Sequence, residues 1–469
     1  MLGFFIGAVG CVPVRQSGEP LTPLSLADVN ATDTLGSQTQ RAEWDAQAWG
    51  FGDPQLVKLI DQGIAHSPHF AEAWARVRKA EAVVGEERAS TKPDVSVDGN
   101  VSEAQASRNI GFPSQFSSFL PKGLHSNTRV VLGGNWDFDL VGRNRAVLAA
   151  AVSDAAAVDY DLAQARLVLM TSIAQAYAEY ARALADVQTG QTLHKLSEEQ
   201  LRLYRLRVKA RLDDETNVDA ARRADLAAQD NLASAQEAER IARYRLAALV
   251  GEGPDFGATL AAPELHLSDV ELDQLGADVI ASRPDVAAAK ARIEGHAARV
   301  KVVQRDFYPN ISLNALAGLQ SFDLGQILLG SSSIASFGPA IHLPIFTGKL
   351  RAIYREQQAD YDGAVAAYNA SIVGAFQDVA TSFAQSHMAE ARLSAAQATE
   401  RVAAREEMLM EARVRAQLVS ELATTVTRQT LVIAQAHVAT ARVELILSQI
   451  DVMRALGGRL VDVSPRGKL

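Results

Sequence analysis

The sequence carries one long segment twice, and this duplication limits the possible folds more than any other feature. Three pairs of residues mark the two copies, namely Pro68 with Pro284, Pro93 with Pro309, and Gly142 with Gly348. The first two pairs are 216 positions apart and the third is 206 positions apart. A repeat of about 200 residues is too long for a solenoid unit, so each copy is a duplicated domain with the same order of elements.

Each copy is predicted to contain two long helices. No proline stands between residues 121 and 254 or between residues 344 and 465, and proline costs about 3 kcal/mol inside a helix. Hydrophobic residues make up 48% of the chain but aromatic residues only 6%, which suits close-packed helices. We predict long helices over 143–209 and 349–416, and returning helices over 214–250 and 420–456.

Two stretches of alternating residues precede each long helix. Val95, Val97 and Val101 alternate with polar residues in the first copy, and Phe337 and Ile341 share one face in the second. A period of two predicts a strand with one apolar face and one polar face. We predict strands over 93–107, 127–141, 309–321 and 334–346.

These predicted strands are too few to close a barrel within one chain. An apolar outer face and a polar inner face are typical of outer-membrane barrels, in which every strand edge is paired because lipid offers no hydrogen bonds. Closure would then require several copies of the chain. The abundant alanine would let long helices approach closely around a hollow tube. The alternative is an ordinary half-buried sheet that packs on the helices.

Composition argues against several other classes of protein. A net charge of −9 and a pI near 5.6 do not fit a nucleic-acid-binding protein, which needs a basic surface. A single cysteine excludes a disulfide framework and a cysteine zinc site. No run of about 18 apolar residues follows the N-terminus, so no transmembrane helix is expected in the mature chain. His66 and His69 are separated by Pro68, and we expect no metal, cofactor or catalytic site.

The N-terminus predicts a lipid anchor. Residues 1–10 are mostly apolar, and Ala8, Val9 and Gly10 precede the lone Cys11. Small residues before a cysteine resemble a bacterial lipoprotein cleavage site, where the cysteine becomes the lipidated first residue. We predict that residues 1–10 are the remnant of a signal peptide and that Cys11 is the lipid-attachment site. The alternative is a free cysteine in an ordinary signal peptide.

Three groups of motifs resemble those of a known family. Residues 49–56 read WGFGDPQL, residues 136–143 read WDFDLVGR, and RPDV at 283–286 precedes FYP at 307–309. They resemble the opening signature, the strand-to-helix junction and the start of the second repeat in TolC-like outer-membrane efflux channels, or outer-membrane factors. The resemblance is to the lipoprotein branch, which serves resistance-nodulation-division tripartite systems, and it covers nearly the whole chain in the family's order.

The resemblance implies a mixed, mostly α fold. Long periplasmic helical hairpins would form an α-barrel, and the strands of each chain would contribute to the twelve-stranded outer-membrane β-barrel of a homotrimer. The implied function is passive export, coupled to a periplasmic adaptor and to an inner-membrane pump that is often of the resistance-nodulation-division type. The protein would lie in the bacterial outer membrane, lipid-anchored, with a large periplasmic part. No enzyme activity and no cofactor are implied.

On this plan the chain divides into a series of segments. They are a tether and equatorial segment over 11–67, a first repeat over 68–251, an equatorial linker over 252–283, a second repeat over 284–457 and a tail over 458–469. Each repeat begins with a helix and continues with two strands, the long helix and the returning helix.

The tips of the two helical hairpins, residues 210–215 and 416–421, are the candidate functional site. In the family these tips form the closed periplasmic mouth and contact the adaptor, and a glycine usually marks each turn. Arg211 and Gln417 stand at those positions, which puts the usual turn geometry in question. The candidate residues are Arg211, Asp213, Asp214, Gln417, Leu418 and Leu422.

The closed mouth of the family is often ringed by aspartates just after the second turn. Ala423 and Val426 occupy the corresponding positions here, so a carboxylate gate is not favoured. Leu418 and Leu422 could constrict the mouth instead, or they could simply pack the turn.

Two other functions stay open at this stage. The resemblance also allows an outlet for type I protein secretion, although the lipoprotein-like N-terminus and the opening signature favour efflux of small molecules. A periplasmic coiled-coil scaffold without a pore is an alternative of another class. The repeated amphipathic strands argue against the scaffold. Extraction distinguishes the two, because salt would release a scaffold from membranes whereas an integral barrel needs detergent.

Overall fold

The computed structural model describes most of the chain. The described residues are 21–25, 48–105, 123–267, 280 and 282–458. The predicted signal peptide, the predicted lipid site Cys11 and most of the predicted tail lie outside the described residues, as do parts of the tether and of the linker.

Helices dominate the described part of the chain. In order, the elements are α1 (Pro54–His66), α2 (Pro68–Ser90), β1 (Asp94–Ala104), β2 (His125–Asp137), α3 (Arg143–Lys209), α4 (Glu215–Leu249), α5 (Pro284–Arg305), β3 (Asn310–Ser321), β4 (Ser333–His342), α6 (Gly348–Arg415) and α7 (Leu422–Ala455). The long helices α3 and α6 run for 67 and 68 residues. The predicted mixed, mostly α class is confirmed.

The chain folds into two compact units, and each contains parts of both repeats. The first unit contains Met1–Pro23, Val77–Val158 and Ala289–Tyr368, and the second contains Leu24–Arg76, Asp159–Ala288 and Asn369–Leu469, in each case as far as these residues are described. The long helices α3 and α6 therefore contribute their first residues to one unit and the rest to the other.

The first unit contains a four-stranded antiparallel sheet in the order β1-β2-β3-β4. One row of cross-strand neighbours is apolar and consists of Val97, Leu132, Ala317 and Ala335. A row on the opposite face begins with Asp94, Asn135 and Asn314. Because cross-strand neighbours share a face, the sheet has an apolar side and a largely polar side. Within the described residues, β1 and β4 pair on one side only, so both edges of the sheet are open.

Three strands end earlier than the sequence predicts. β2 ends at Asp137 rather than at residue 141, because the chain turns through Asp139 and Gly142, whose φ angles are 46° and 80°. β4 ends at His342 rather than at residue 346, and the nearby Pro344 has no N–H to extend the ladder. β1 ends at Ala104 rather than at residue 107.

Most of the apolar core lies in the second unit. Its largest fully buried side chains include Trp49, Leu56, Leu59, Ile173, Tyr177, Ile446, Ile450 and Met453. The opening motif supplies a polar anchor to this core, since Asp53 caps α1 and accepts a hydrogen bond of 2.6 Å from the Tyr177 hydroxyl. Burial raises the pKa of Tyr177, and the hydrogen bond to Asp53 adds to the increase.

The second-repeat motif provides a buried cation. Only 8% of the Arg283 side chain is exposed. Its guanidinium donates to the carboxylates of Asp285 and Asp378 at 2.7 and 3.1 Å, and to the Ala455 carbonyl at 2.9 Å. Burial by itself lowers the pKa of Arg283, but the two carboxylates outweigh it and the pKa is raised. Arg283 therefore ties the start of α5 to α6 and α7.

Among the described helices, α7 is long and apolar enough to cross a membrane by length and composition alone, with a mean hydropathy of 1.3 in its most apolar window. Polar residues interrupt the apolar sequence of α7, so the search for an uninterrupted apolar run did not predict a membrane span there. The helix also supplies Ile446, Ile450 and Met453 to the core of the second unit, and core helices meet the same criterion.

Candidate functional site

Both helical hairpins turn with the same backbone geometry. At the first tip, the N–H of Leu212 donates to the Arg207 carbonyl at 2.8 Å, and the N–H of Arg211 donates to the Val208 carbonyl at 2.9 Å. The second tip repeats both bonds at 2.9 Å, from the N–H groups of Leu418 and Gln417. This pair of bonds is the Schellman motif, in which a helix ends on one left-handed residue.

The left-handed residues at the tips are not glycines. Arg211 has a φ of 56° and Gln417 a φ of 59°. The returning helices end with the same motif, but there the left-handed residues are Gly251 and Gly457, with φ of 80° and 86°. The sequence put the usual turn geometry in question because glycine is absent at positions 211 and 417. Both turns nevertheless keep that geometry. They leave a strained residue at each tip, since a Cβ disfavours this conformation.

The first tip is a polar network. Asp213 accepts hydrogen bonds from the Asn217 amide at 2.6 Å and from the Arg207 guanidinium at 2.9 Å. The bond from Asn217, followed by that from Arg207, holds the pKa of Asp213 below its ordinary value. Asp214 caps α4 by accepting from the Asn217 N–H at 3.3 Å. Two of the predicted site residues thus fix the start of the returning helix.

The second tip exposes a leucine, and the helix that follows it lacks a side-chain cap. Leu418 is 74% exposed, whereas Leu422, the first residue of α7, is half-buried. Glu421 precedes α7 but makes no capping bond with its side chain. The Thr424 and Thr425 hydroxyls donate to carbonyls three residues earlier, at 2.7 Å each. The first turn of α7 is therefore held from within the helix.

An ion-pair cluster joins the two helices of the second hairpin behind its tip. The Arg428 guanidinium donates to Glu411 at 2.8 Å and to Glu407 at 3.3 Å. The hydrogen bond from Arg428 is the main reason that the pKa of Glu411 is lowered. The two glutamates raise the pKa of Arg428 in turn, Glu411 more than Glu407. This link between α6 and α7 was not predicted from the sequence.

The structure places the predicted residues at two separate tips. Arg211, Asp213 and Asp214 belong to the first hairpin, and Gln417, Leu418 and Leu422 to the second. Leu212 was missed as a candidate although it is 68% exposed and holds the same place in its turn as Leu418. The repeat offset of 206 positions relates the two leucines and could have identified it.

Among the described residues, no group of three or more His, Cys, Asp or Glu side chains is arranged to hold a metal ion. His66, one of the two neighbouring histidines in the sequence, has its Nδ1 atom 3.6 Å from a carboxylate oxygen of Glu252. The exposed side chains at the tips fit a surface that contacts another protein or lines an opening.

The family described as outer membrane efflux protein matches residues 59–252 and 275–458. The chain belongs to this family. The two matched stretches contain both repeats in full, and the prediction of an outer-membrane efflux channel is confirmed at this level.

Individual relatives agree with the family match. The toluene efflux pump outer membrane protein TtgC of Pseudomonas putida is 28% identical, over 97% of this chain and 93% of its own length. Among solved structures, the outer membrane protein VceC of Vibrio cholerae has a TM-score of 0.78 at 29% identity, over 88% of this chain and 99% of its own. The Campylobacter jejuni CmeC outer membrane channel has a TM-score of 0.82 at 20% identity, over 92% of both chains, and shows the shared fold.

Proposed function

We propose that three copies of this chain form an outer-membrane export channel, in which each copy supplies one four-stranded sheet to a common twelve-stranded barrel. The open edges of β1 and β4 carry this proposal. An exposed strand edge in lipid would leave backbone groups unpaired, which is prohibitively costly, and closure with other copies removes both edges. The family supports export as the function of that barrel.

The faces of the sheet support the same assignment. Val97, Leu132 and Phe337 on the apolar side are exposed in the single chain. In a membrane barrel this side faces lipid, and the polar side with Asp94 and Asn135 lines the lumen. The channel would be passive, as the resemblance to the family implies.

We further propose that the tips contact a periplasmic adaptor, which joins the channel to an inner-membrane pump of the resistance-nodulation-division type. TtgC, a relative over nearly the whole chain, is described as the outer membrane protein of a toluene efflux pump, which supports a pump partner. The exposed side chains of Arg211 and Gln417 at these turns are suited to such a contact.

At the second tip, Leu418 and Leu422 are proposed to narrow the closed mouth. The exposure of Leu418 supports this role, because an apolar side chain left in water in one chain can meet its copies in an assembly. Leu422 is half-buried, which also suits the alternative of turn packing.

Cys11 is proposed to carry a lipid. The backbone N–H of Leu21 donates to Asp362 at 3.2 Å in the first unit, so the tether is held near the start of α6. The ten residue-to-residue steps from Cys11 to Leu21 can span roughly 33–36 Å when extended. Asp362 is about 21 Å along the helix from Gly348. The cysteine can therefore reach the membrane. Mass spectrometry of the mature N-terminus tests this, and an unmodified Cys11 would rule the anchor out.

Planar-bilayer recording tests the channel itself. Purified wild-type protein is expected to give discrete conductance steps with a low closed-state conductance. Leu418→Ala and Leu422→Ala should each raise the closed-state conductance if these leucines narrow the mouth. Leu226→Ala, which removes an exposed leucine from α4, is the control. Protein that gives no conductance would contradict the channel, whereas unchanged closed-state conductance in both variants would contradict only the gate.

Export in cells separates efflux from secretion. Deletion of the gene should sensitise cells to toxic small molecules while the pump and adaptor are still made, and the wild-type gene should restore resistance. Unchanged resistance together with loss of one secreted protein from the medium would instead favour a type I secretion outlet.

A further inference from the structure

Each repeat has one strand-to-helix junction. At the first, between β2 and α3, Arg143 and Arg145 are neutralised within the chain. Arg143 pairs with Asp306 at 2.6 Å, and Arg145 pairs with Asp139 at 3.1 Å. Asp139 also accepts hydrogen bonds from the N–H groups of Asn144 and Arg145, at 2.8 and 3.1 Å. Partial burial raises the pKa of Asp139, but these hydrogen bonds outweigh it and the pKa is lowered. Arg143 and Arg145 therefore each have a carboxylate partner within the chain.

The second junction, between β4 and α6, repeats the two cations but has no counterparts of the Asp139 and Asp306 carboxylates. Lys349 and Arg351 stand 206 positions after Arg143 and Arg145, but Ile345 takes the place of Asp139. The position related to Asp306 by the 216-residue offset is Ser90. The counterpart of the Asp306 carboxylate in the first repeat is therefore a hydroxyl, which lies 3.4 Å from the Glu87 carboxylate.

A third cation strengthens the second junction. Arg355 replaces the Ala149 of the first repeat and lies one helical turn after Arg351, on the same face of α6. Lys349, Arg351 and Arg355 are all exposed. In the described part of the chain none of the three side chains has an ion-pair or hydrogen-bond partner, and the neighbouring Glu356 pairs with none of them.

The residues just before these cations are strongly apolar. Phe346 is 94% exposed, and Leu343 and Ile345 are also exposed. Apart from the adjacent residues and the backbone of the same helix, no atom of the described residues lies within 4 Å of the position that a Cβ would take at Gly348, so the space beside the junction is open. Exposed aromatic and aliphatic residues followed by arginine and lysine are typical of the boundary between acyl chains and headgroups.

We propose that Arg351 and Arg355, flanked by Lys349, bind the phosphate of an anionic glycerophospholipid at the membrane surface from which the helices extend. Ile345 and Phe346 would lie among its acyl chains. Arg351 and Arg355 are about 5 and 10 Å along the helix from Gly348, a depth that matches the headgroup layer and the reach of an arginine side chain. Guanidinium groups bind phosphate through paired N–H donors. The proposal rests on the proposed function, because the strands must cross the membrane for the junction to meet a lipid.

Native mass spectrometry of the intact, detergent-solubilised assembly tests the proposal. The wild-type protein is titrated in parallel with dioleoylphosphatidylglycerol and with dioleoylphosphatidylcholine, and bound lipids are counted. The test variant is Arg351→Gln/Arg355→Gln. The matched control is Arg401→Gln/Arg405→Gln, which removes two exposed cations with the same spacing from the same helix. Bilayer conductance is recorded for every protein.

The wild-type protein and the control are expected to retain phosphatidylglycerol about tenfold better than phosphatidylcholine, and the test variant to retain the two lipids about equally. Equal retention by the wild-type protein would overturn the proposal, as would an undiminished preference in the test variant. If either of these results is obtained with protein of normal conductance, the lipid site is contradicted but the proposed channel function is not. Loss of conductance in the wild-type protein would instead count against the proposed function.

Discussion

Arg211 and Gln417 show how hydrogen bonding can impose a backbone conformation on a residue that disfavours it. Each closes a Schellman turn with φ near 60°. The left-handed conformation costs a residue with a Cβ roughly 1–2 kcal/mol. The chain uses glycine at the equivalent turns of its returning helices, so the strained residues occur only at the tips among these related turns. Strain kept at an exposed site suggests that the side chain itself is needed there.

This strain leads to a prediction about stability. Arg211→Gly and Gln417→Gly should each raise the free energy of unfolding by up to about 1 kcal/mol, because relief of strain exceeds the added entropy of glycine in the unfolded chain. Thermal unfolding of the purified protein, followed by circular dichroism, measures the change. Arg211→Ala and Gln417→Ala keep the Cβ and should show no such gain. An equal gain in the alanine variants would mean that charge or side-chain effects, not the backbone, set the stability of the tips.

The turns also mark a limit of sequence reasoning at this scale. A glycine predicts a left-handed residue, but an arginine or a glutamine does not exclude one. The conformation of Arg211 depends on two backbone hydrogen bonds that no side-chain pattern reveals. In the same way, the strand that was expected to reach residue 141 stops at Asp137, because Asp139 turns back to cap α3.

At the scale of elements, the strands and helices were predictable because their periodicity is local. Val97 and Asp98 are neighbours in β1 and point to opposite faces, as the period of two requires. The Arg428 cluster was not predictable, because it depends on how α6 and α7 are rotated against each other. Positions 17 and 21 residues apart come together there only through the turn between the helices.

Val97 and Asp98 provide a matched test of the faces of the sheet. Val97→Arg should destabilise the barrel by about 2–4 kcal/mol, because it places a charge on the lipid side near mid-strand. Asp98→Arg puts the same residue on the opposite side and should have a much smaller effect. The amount of each variant that assembles in the outer membrane is the measurement. Similar losses for both variants would contradict the assignment of faces.

The Arg428 cluster predicts how the second hairpin responds to acid. A carboxylate with a lowered pKa contributes stability above its ordinary pKa, and this contribution is lost as the pH falls through the lowered value. The pKa of Glu411 is lowered mainly by Arg428, so acidification should weaken the link between α6 and α7. Arg428→Gln should remove this part of the pH dependence.

Urea unfolding at about pH 7 and about pH 3 measures that difference. Arg428→Gln should destabilise the protein more at the higher pH than at the lower. Arg405→Gln, at an exposed position on α6, is the control and should show no such dependence. An equal effect of Arg428→Gln at both pH values would show that the cluster does not stabilise the hairpin through ionised Glu411.

At the scale of the whole molecule, one chain does not complete its own sheet. We expect the purified protein to have a mass about three times that of the 50.2 kDa chain, because closure of the barrel requires strands from other copies. Light scattering in mild detergent, corrected for bound detergent, measures it. Extraction should need detergent, and a protein released from membranes by salt as a monomer would contradict the shared barrel.

The open edges of each sheet also have a genetic consequence. A barrel shared by three chains functions as a unit, so one mutant subunit can inactivate two wild-type subunits. When wild-type and mutant chains are expressed equally and assemble at random, only about one assembly in eight contains three wild-type chains. Mutations in the strands that still permit assembly should therefore be dominant, whereas mutations that prevent the chain from pairing at all should be recessive.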